Sequence, residues 1–484
     1  MKSKIGNRAA FKRSVATLAC AFVASTPLLS SHAADPTPST DELVQRINSL
    51  EQQLKDLKAQ LEQNPQAAAA PAKPTAIVSA GADGFSFQSA DSNFVLTLHG
   101  HLQADSRTFN SDGHAKGNDQ FLLRRARPIL AGTVYRDFDF LFTPDFAGND
   151  VANNNTTNST QILDAYVNYH PLQEVQLQIG KFKSPVGLEV LQGDQYLTFN
   201  ERSLVTDLAP NRDIGAELHG DLFGGAASYA AGLFNGAPDY AGTTENNNFD
   251  NDKAVAGRLF FQPFRNTSIA PLQGFGAGVG GSYGLADGAG AKLTGLTTAG
   301  YLTDGQQTMF AYTNTAFAQG VQWRLSPQGY YYWGPLSLMG EYMVDSTHVV
   351  NGAAKPVKAD LENTAWEIQG GYVLTGEAAS YANGVTPVHS FDPLQGRWGA
   401  VQLVARYEDL NLDKETFPAF ADATKYASGA HAWSLGVNWY LNRIIRLNAS
   451  YAYTTFDGVT GKTSSTAVDK RPEEVFFTRV QVAF

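Results

Sequence analysis

The chain has 484 residues, with 36 Lys+Arg against 46 Asp+Glu and a formal net charge of −10. A chain this acidic does not offer the general basic surface of a nucleic-acid binder, and its one cysteine excludes a disulfide framework. No run of eighteen apolar residues follows the first thirty or so, which excludes a protein that crosses a membrane by helices.

In chain order, the first element is MKSKIGNRAAFKRSVATLACAFVASTPLLSSHAA. Basic residues precede Ser14, an apolar stretch runs from Val15 to Leu29, and Ser31-His32-Ala33 supplies small residues at a cleavage site, so residues 1–33 are expected to be a secretory signal peptide. It carries five Lys and Arg and no acid, and its removal takes the formal net charge from −10 to −15. Cys20 leaves with it. A secreted chain of this size without disulfides needs a packed core or a closed barrel.

Residues 34–63 are expected to be a periplasmic coiled-coil segment, because Leu43, Ile47, Leu50, Leu54, Leu57 and Leu61 alternate spacings of four and three. An isolated helix of this length is marginal in water, so the stripe predicts self-association; a single amphipathic helix lying on the rest of the protein is the alternative. Residues 64–83 begin NPQAAAAPAKPTA and read as an Ala/Pro-rich linker.

From residue 84 to 484 the pattern changes to short alternating segments divided by Gly, Asn, Asp and Pro. Phe94, Leu96, Leu98 and Leu102 share one face, as do Phe138, Phe140 and Phe142, then Leu435, Val437, Trp439 and Leu441, then Leu447, Ala449, Tyr451 and Tyr453. A soluble sandwich alternates in the same way. The end of the chain, VFFTRVQVAF, favours a barrel: Phe476, Val480, Val482 and the terminal Phe484 share a parity, as in the closing strand of bacterial outer-membrane barrels. The expected fold is all-β, a transmembrane antiparallel β-barrel of about 16 strands after the coiled-coil helix.

GFGAGVGGSYG (274–284) contains both G-x-G-x-x-G and G-x-S-x-G, but neither opens a helix, so neither a dinucleotide loop nor a nucleophile elbow is expected. Glycine in a barrel strand instead permits a bend or a close neighbour. His99 and His101 share a strand face without a third ligand fixed nearby, so no metal site is expected. No catalytic residue and no cofactor is assigned.

Arginines at polar parity carry the functional reading. Arg406, Arg446, Arg479, Arg324 and Arg258 fall opposite apolar positions and are expected to face the lumen, since an arginine facing lipid at mid-depth costs roughly 2 to 4 kcal/mol. In FLLRRARPILAG (121–132) Arg125 and Arg127 share a face and Arg124 takes the other, where it would snorkel to the interface or turn inward at a bulge. Any single arginine could instead be tied in a wall salt bridge with Asp105, Asp139 or Glu408. As a set, lumen arginines attract anions and hold phosphate oxygens bidentately.

FLLRRARPILAGTVYRDFDF, IGKFKSPVGLE (179–189), ERSL with NRDIGAELHG (201–220), GYVLTGE (371–377), ARYEDLNL (405–412) and GVNWYLN (436–442) together resemble the phosphate-selective porin O and P family. The resemblance spans residues 94 to 484. It implies a trimeric, 16-stranded outer-membrane porin that passes phosphate or polyphosphate, with loops folded inward. It also implies that Arg124 and Arg125, as the RRA pair, and Lys181, after the glycine of GKF, line the pore. The arginine-rich inward loop of the well-known phosphate channels falls on 303–329 here, where Arg324 is the one basic residue, so selectivity among anions is open.

The expected protein is a passive anion diffusion channel in the bacterial outer membrane, not an enzyme, with its N-terminal segment in the periplasm. Its expected partners are small anions (phosphate, polyphosphate), outer-membrane lipid and two further copies in a homotrimer, with a peptidoglycan contact through the N-terminal segment. The alternatives are a porin for a sugar or organic acid, with YYYWG (330–334), Tyr451 and Tyr453 as a stacking track in place of an interface girdle, or a structural tether between outer membrane and peptidoglycan. An outer-membrane hydrolase ranks last, because no nucleophile and base can be paired.

Overall fold

The computed structural model describes residues 40–63, 76–110, 117–147, 160–237, 251–287, 296, 300–352, 355–458 and 471–484. The signal segment 1–33 and linker residues 64–75 lie outside the described residues. The chain divides into two compact units, one holding the N-terminal helix and the other the sheet from Val78 onward.

Helix α1 (Thr40–Gln63) covers the heptad segment. Ile47 and Leu50, the two heptad positions whose side chains are described, are both more than half exposed. Among the described residues no helix is long and apolar enough to cross a membrane.

Extended structure begins inside the stretch read as linker, with β1 (Ile77–Gly81) followed by β2 (Gly84–Gln88). The barrel strands then run β3 (Val95–Phe109), β4 (Gln120–Val134), β5 (Phe138–Asp145), β6 (Gln161–Tyr169), β7 (Gln176–Lys183), β8 (Arg212–Leu222), β9 (Ala227–Phe234), β10 (Ala254–Phe261) and β11 (Phe275–Asp287). A short hairpin, β12 (Tyr301–Leu302) and β13 (Thr308–Phe310), precedes β14 (Ala316–Trp333), β15 (Leu336–Asn351) and β16 (Val357–Val373). A second, β17 (Ala379–Ser380) and β18 (Gly384–Val385), precedes β19 (Ala400–Asn411), β20 (Gly429–Tyr440), β21 (Ile445–Asp457) and β22 (Glu473–Ala483).

Setting aside β1, β2 and the two hairpins, 16 antiparallel strands close into a barrel when β22 pairs with β3. Closure leaves no free sheet edge and pairs the backbone where lipid offers no partners. The last residue completes the seam: Gly100 and Phe484 exchange backbone bonds of 3.0 Å in both directions. A Cβ on Gly100 would lie 2.5 Å from the Phe484 ring, so a larger residue there would push the terminal aromatic from its present seat.

The period-2 pattern sets which residues face out. On β3, Leu96, Leu98 and Leu102 are exposed while His101, Gln103, Asp105 and Arg107 are buried inside. Leu403, Leu435, Phe476 and Val480 continue the outer apolar surface, and Arg406, Ser434 and Arg479 lie beside them on the inner face. Most connections at one end are short, as at Tyr135 and Arg136, whose positive φ values (49° and 69°) suit the tight hairpin between β4 and β5.

The lumen is filled from both ends. Residues 184–211, between β7 and β8, fold inward as short helical turns (Leu188–Leu191, Asp194–Tyr196, Leu204–Asp207) packed on β15, β16 and β19. Residues 300–315 enter beside them and bond to them, Leu302 N–H donating to Asp207 at 3.0 Å. From the short-turn end, the β16–β19 connection brings Tyr381 up to donate to the Leu188 carbonyl at 2.7 Å.

The glycine-rich stretch lies in β11, as its strand-like context predicted. A Cβ on Gly280 would lie 2.2 Å from the Val186 carbonyl oxygen, so this glycine lets the inward loop press against the wall. The 303–329 assignment needs correction. Residues 316–329 belong to β14, so Arg324 sits on the wall, and a long inward loop is 184–211, where the alternating pattern gives way to Pro and Gly.

Candidate functional site

The register between β3 and β4 answers the Arg124 question. Gln103 pairs with Arg125 and Ala104 with Leu123, leaving Arg124 as the extra residue of a bulge. Arg124 and Arg125 therefore both turn inward although they are consecutive. Arg124 forks onto Glu201 of the inward loop at 2.7 and 2.9 Å.

Around this bulge lies a basic wall. Arg125 donates to Gln103 at 2.6 Å and lies 3.4 Å from Asp194, and Arg127 holds Asp145 at 2.6 Å and contacts Asp194 as well. Arg107 pairs with Glu201 at 2.7 Å, and Arg479 forks onto Asp105 at 2.7 and 2.6 Å. Arg446 donates to the Leu197 carbonyl and to Gln481 at 2.8 and 3.0 Å. Arg202, from the loop itself, reaches Asp194 at 2.5 Å. Among the described residues these seven guanidinia outnumber the four carboxylates at salt-bridge distance from them, Asp105, Asp145, Asp194 and Glu201, and Arg446 bonds only to neutral groups.

The loop acids are the latch. Burial alone would raise the Asp194 carboxyl, but Arg202, Arg125 and Arg127 hold it well below the ordinary carboxylate range. Burial opposes ionisation of Glu201 too, and Arg124 and Arg107 overcome it, keeping its carboxyl far below the usual value.

A nearby stretch of wall, separated from β21 by β20 alone, has the opposite sign. Glu341, Glu367 and Glu408 sit side by side on β15, β16 and β19, in register as Glu341↔Glu367 and Glu367↔Glu408. Glu341 accepts the Leu188 and Glu189 N–H groups at 2.9 and 3.1 Å, and Glu408 accepts the Leu204 N–H at 2.7 Å. Carboxylates thus cap two short turns of the loop. Arg406 is the guanidinium that contacts this patch, 2.7 Å from Asp304, 3.2 Å from Glu408 and 3.7 Å from Glu189.

The remaining sequence-selected residues lie outside the basic wall, and Arg324 reaches a carboxylate on β15. Arg258 is buried on β10, donates to Gln328 at 2.7 Å and lies 4.2 Å over the Phe260 ring, with no carboxylate at salt-bridge distance among the described residues. Arg324 pairs with Asp345 at 3.1 Å, and Lys181 is buried on β7 opposite Ala165. The wall salt bridges weighed in the sequence are present for Arg479 with Asp105 and Arg406 with Glu408, whereas Asp139 faces His170 at 3.1 Å. His101 is buried in the lumen, and no group able to hold a metal occurs among the described residues.

The tyrosine run divides by parity, which corrects its reading as an interface girdle. Tyr330 stacks on Tyr381 at 5.0 Å and meets Phe260 at 5.0 Å inside the barrel, whereas Trp333 is exposed outside. Sequence reading did not select Arg107, Glu189, Asp194, Glu201, Arg202 or Asp304. Glu189, Glu201 and Arg202 lay within the motif blocks quoted, but nothing local says that those blocks enter the lumen.

Porin O of Pseudomonas aeruginosa is 26% identical over 426 residues, covering 83% of this chain and 91% of that protein. Among solved structures, the outer membrane channel DcaP of Acinetobacter baumannii superposes with a TM-score of 0.50 at 11% identity, covering 84% of this chain and 100% of that one. An anion-selective porin from Comamonas acidovorans gives a TM-score of 0.50 at 12% identity over 81% of this chain and 100% of its own. Such distant likenesses support the barrel fold. The family model for phosphate-selective porin O and P matches residues 96–484, so this chain, a 16-stranded outer-membrane channel, belongs to that family.

Proposed function

We propose that the protein is a passive channel for small anions, with phosphate or polyphosphate as the solute class. The observation that carries this reading is the basic wall, where Arg107, Arg124, Arg125, Arg127, Arg202, Arg446 and Arg479 exceed their carboxylate partners. Fixed positive charge in a narrow, low-dielectric lumen raises the local anion concentration whatever the net charge of the whole chain. Lys181, Arg258 and Arg324 extend the same field along β7, β10 and β14. Porin O carries a related sequence, and the family name supplies phosphate.

The test is the reversal potential of the purified full-length protein in a planar bilayer under a salt gradient. Anion preference is expected, and clear cation preference overturns the reading. Block of single-channel current by phosphate or polyphosphate then ranks the anions.

A second reading is favoured by the inner aromatic stack Phe260–Tyr330–Tyr381 beside Arg258, which suits a ring-bearing organic acid or a sugar. Stronger block by maltose or an aromatic carboxylate than by phosphate would select it. The mature chain is proposed to assemble as a homotrimer, with residues 34–63 in the periplasm as a coiled coil reaching toward peptidoglycan.

A further inference from the structure

We infer that Arg406 is a positioning residue that holds both inward segments in the lumen, not a residue that meets the passing anion. Its side chain is 1% exposed. It joins three parts of the chain: Glu189 and the Glu201 carbonyl of the first inward loop, Asp304 of the second, and Glu408 of the wall. Its guanidinium also lies 4.8 Å over the Phe199 ring. Ser434 donates to the other Asp304 oxygen at 2.8 Å, so that carboxylate is oriented from two neighbouring strands.

Charge explains why one residue can do this. Glu189, Asp304, Glu341, Glu367 and Glu408 crowd into one patch, and Arg406 is the guanidinium that contacts it among the described residues. Removing one partner of a buried ion cluster leaves uncompensated charge at low dielectric, which costs far more than losing a surface pair. Five crowded acids do not all ionise at once, but those that do rely on Arg406; without it their charge is left uncompensated between the wall and both loops, and the loops are the parts free to leave. Phe199, Asn200, Glu201, Asp304, Arg406 and Ser434 line a small pocket beside the cluster, where both inward segments meet the wall.

The test uses the purified full-length protein with Arg406→Met and Arg406→Lys in planar bilayers, reading unitary conductance, open-channel noise and reversal potential together. Arg406→Met is expected to raise the unitary conductance about two-fold, as a displaced loop would, and to add rapid closures, without shifting the reversal potential. Arg406→Lys, which keeps the charge but loses the fork, is expected to restore a quiet channel in part. A quiet channel of native conductance whose reversal potential moves toward cation preference would overturn the inference and place Arg406 on the anion path. Asp304→Asn covers the case in which Arg406→Met fails to insert. It leaves the wall arginine in place and is expected to give the same noisy, wider channel, and native behaviour in it counts against the inference. Reversal potential alone reports anion preference, so failure of the anion reading remains distinguishable from failure of the hub.

Discussion

The walls formed by β3, β4, β21 and β22 and by β15, β16 and β19 are built from the same alternating pattern, yet they do opposite things with charge. On the first, arginines from four strands and the loop outnumber the acids that neutralise them. On the second, carboxylates outnumber the single arginine and are spent on backbone N–H groups of the loop. The loop between them carries Asp194 and Glu201 toward the basic side and its N–H-rich turns toward the acidic side. Lumen charge of both signs therefore anchors the loop, and a residue's sign alone does not say whether it also meets the passing solute.

Breaking the basic wall should have the largest effect. Arg124→Glu combined with Arg127→Glu inverts the excess of cations over acids there, and the reversal potential is expected to change sign. Retained anion preference would mean that selectivity arises elsewhere. Next comes the latch: Glu201→Gln leaves Arg107 and Arg124 without their carboxylate, and losing one member of a buried pair typically costs about 3 to 5 kcal/mol. A looser loop with more open-channel noise and a lower unfolding temperature is the expected outcome, checked by bilayer recording and thermal gel shift.

On the acidic wall, Glu341→Ala removes the acceptor for two N–H groups, and losing such a cap costs about 1 kcal/mol. Noise should rise modestly while ion preference stays, and a shift in preference would make Glu341 part of the path. The smallest effect concerns pH. Asp194 and Glu201 are held below their ordinary values, so their contribution is fully present above the unfolded pKa near 4 and is lost only as pH falls through the lower folded values. Channel noise is expected to stay constant from neutral pH down to about 4 and to grow only below it. Loosening already between pH 7 and 5 would show that acids other than Asp194 and Glu201 set the acid sensitivity of the loop.

Much of the wall was legible because a barrel strand has one rule, period 2, and burying an arginine in lipid is expensive. Arg258, Arg406, Arg446 and Arg479 were placed inward on that rule and lie there. Tyr330 and Tyr332 obey the same parity, but the run of aromatics drew attention to the interface instead. Arg124 was unreadable by parity because a bulge is a difference between two strands, and only pairing with β3 reveals the extra residue. The inward loop was the least legible part. Glu189, Asp194, Glu201 and Asp304 acquire meaning mainly from partners on other strands, as when Arg124 meets Glu201 77 residues on and Arg406 meets Asp304 across 102, and no local pattern encodes that.

The bulge at Arg124 also sets a limit that composition cannot. Side chains on one face of a regular strand are spaced about 6.8 Å apart, whereas consecutive residues have Cα atoms about 3.8 Å apart. By turning Arg124 and Arg125 to the same side, one irregular residue nearly doubles the linear density of fixed charge along that stretch of wall. A uniform ladder of alternating arginines could not match it at any length, so the local field there is a property of backbone geometry. Deleting one residue to restore the regular register would weaken that field while sparing the guanidinia on the other strands.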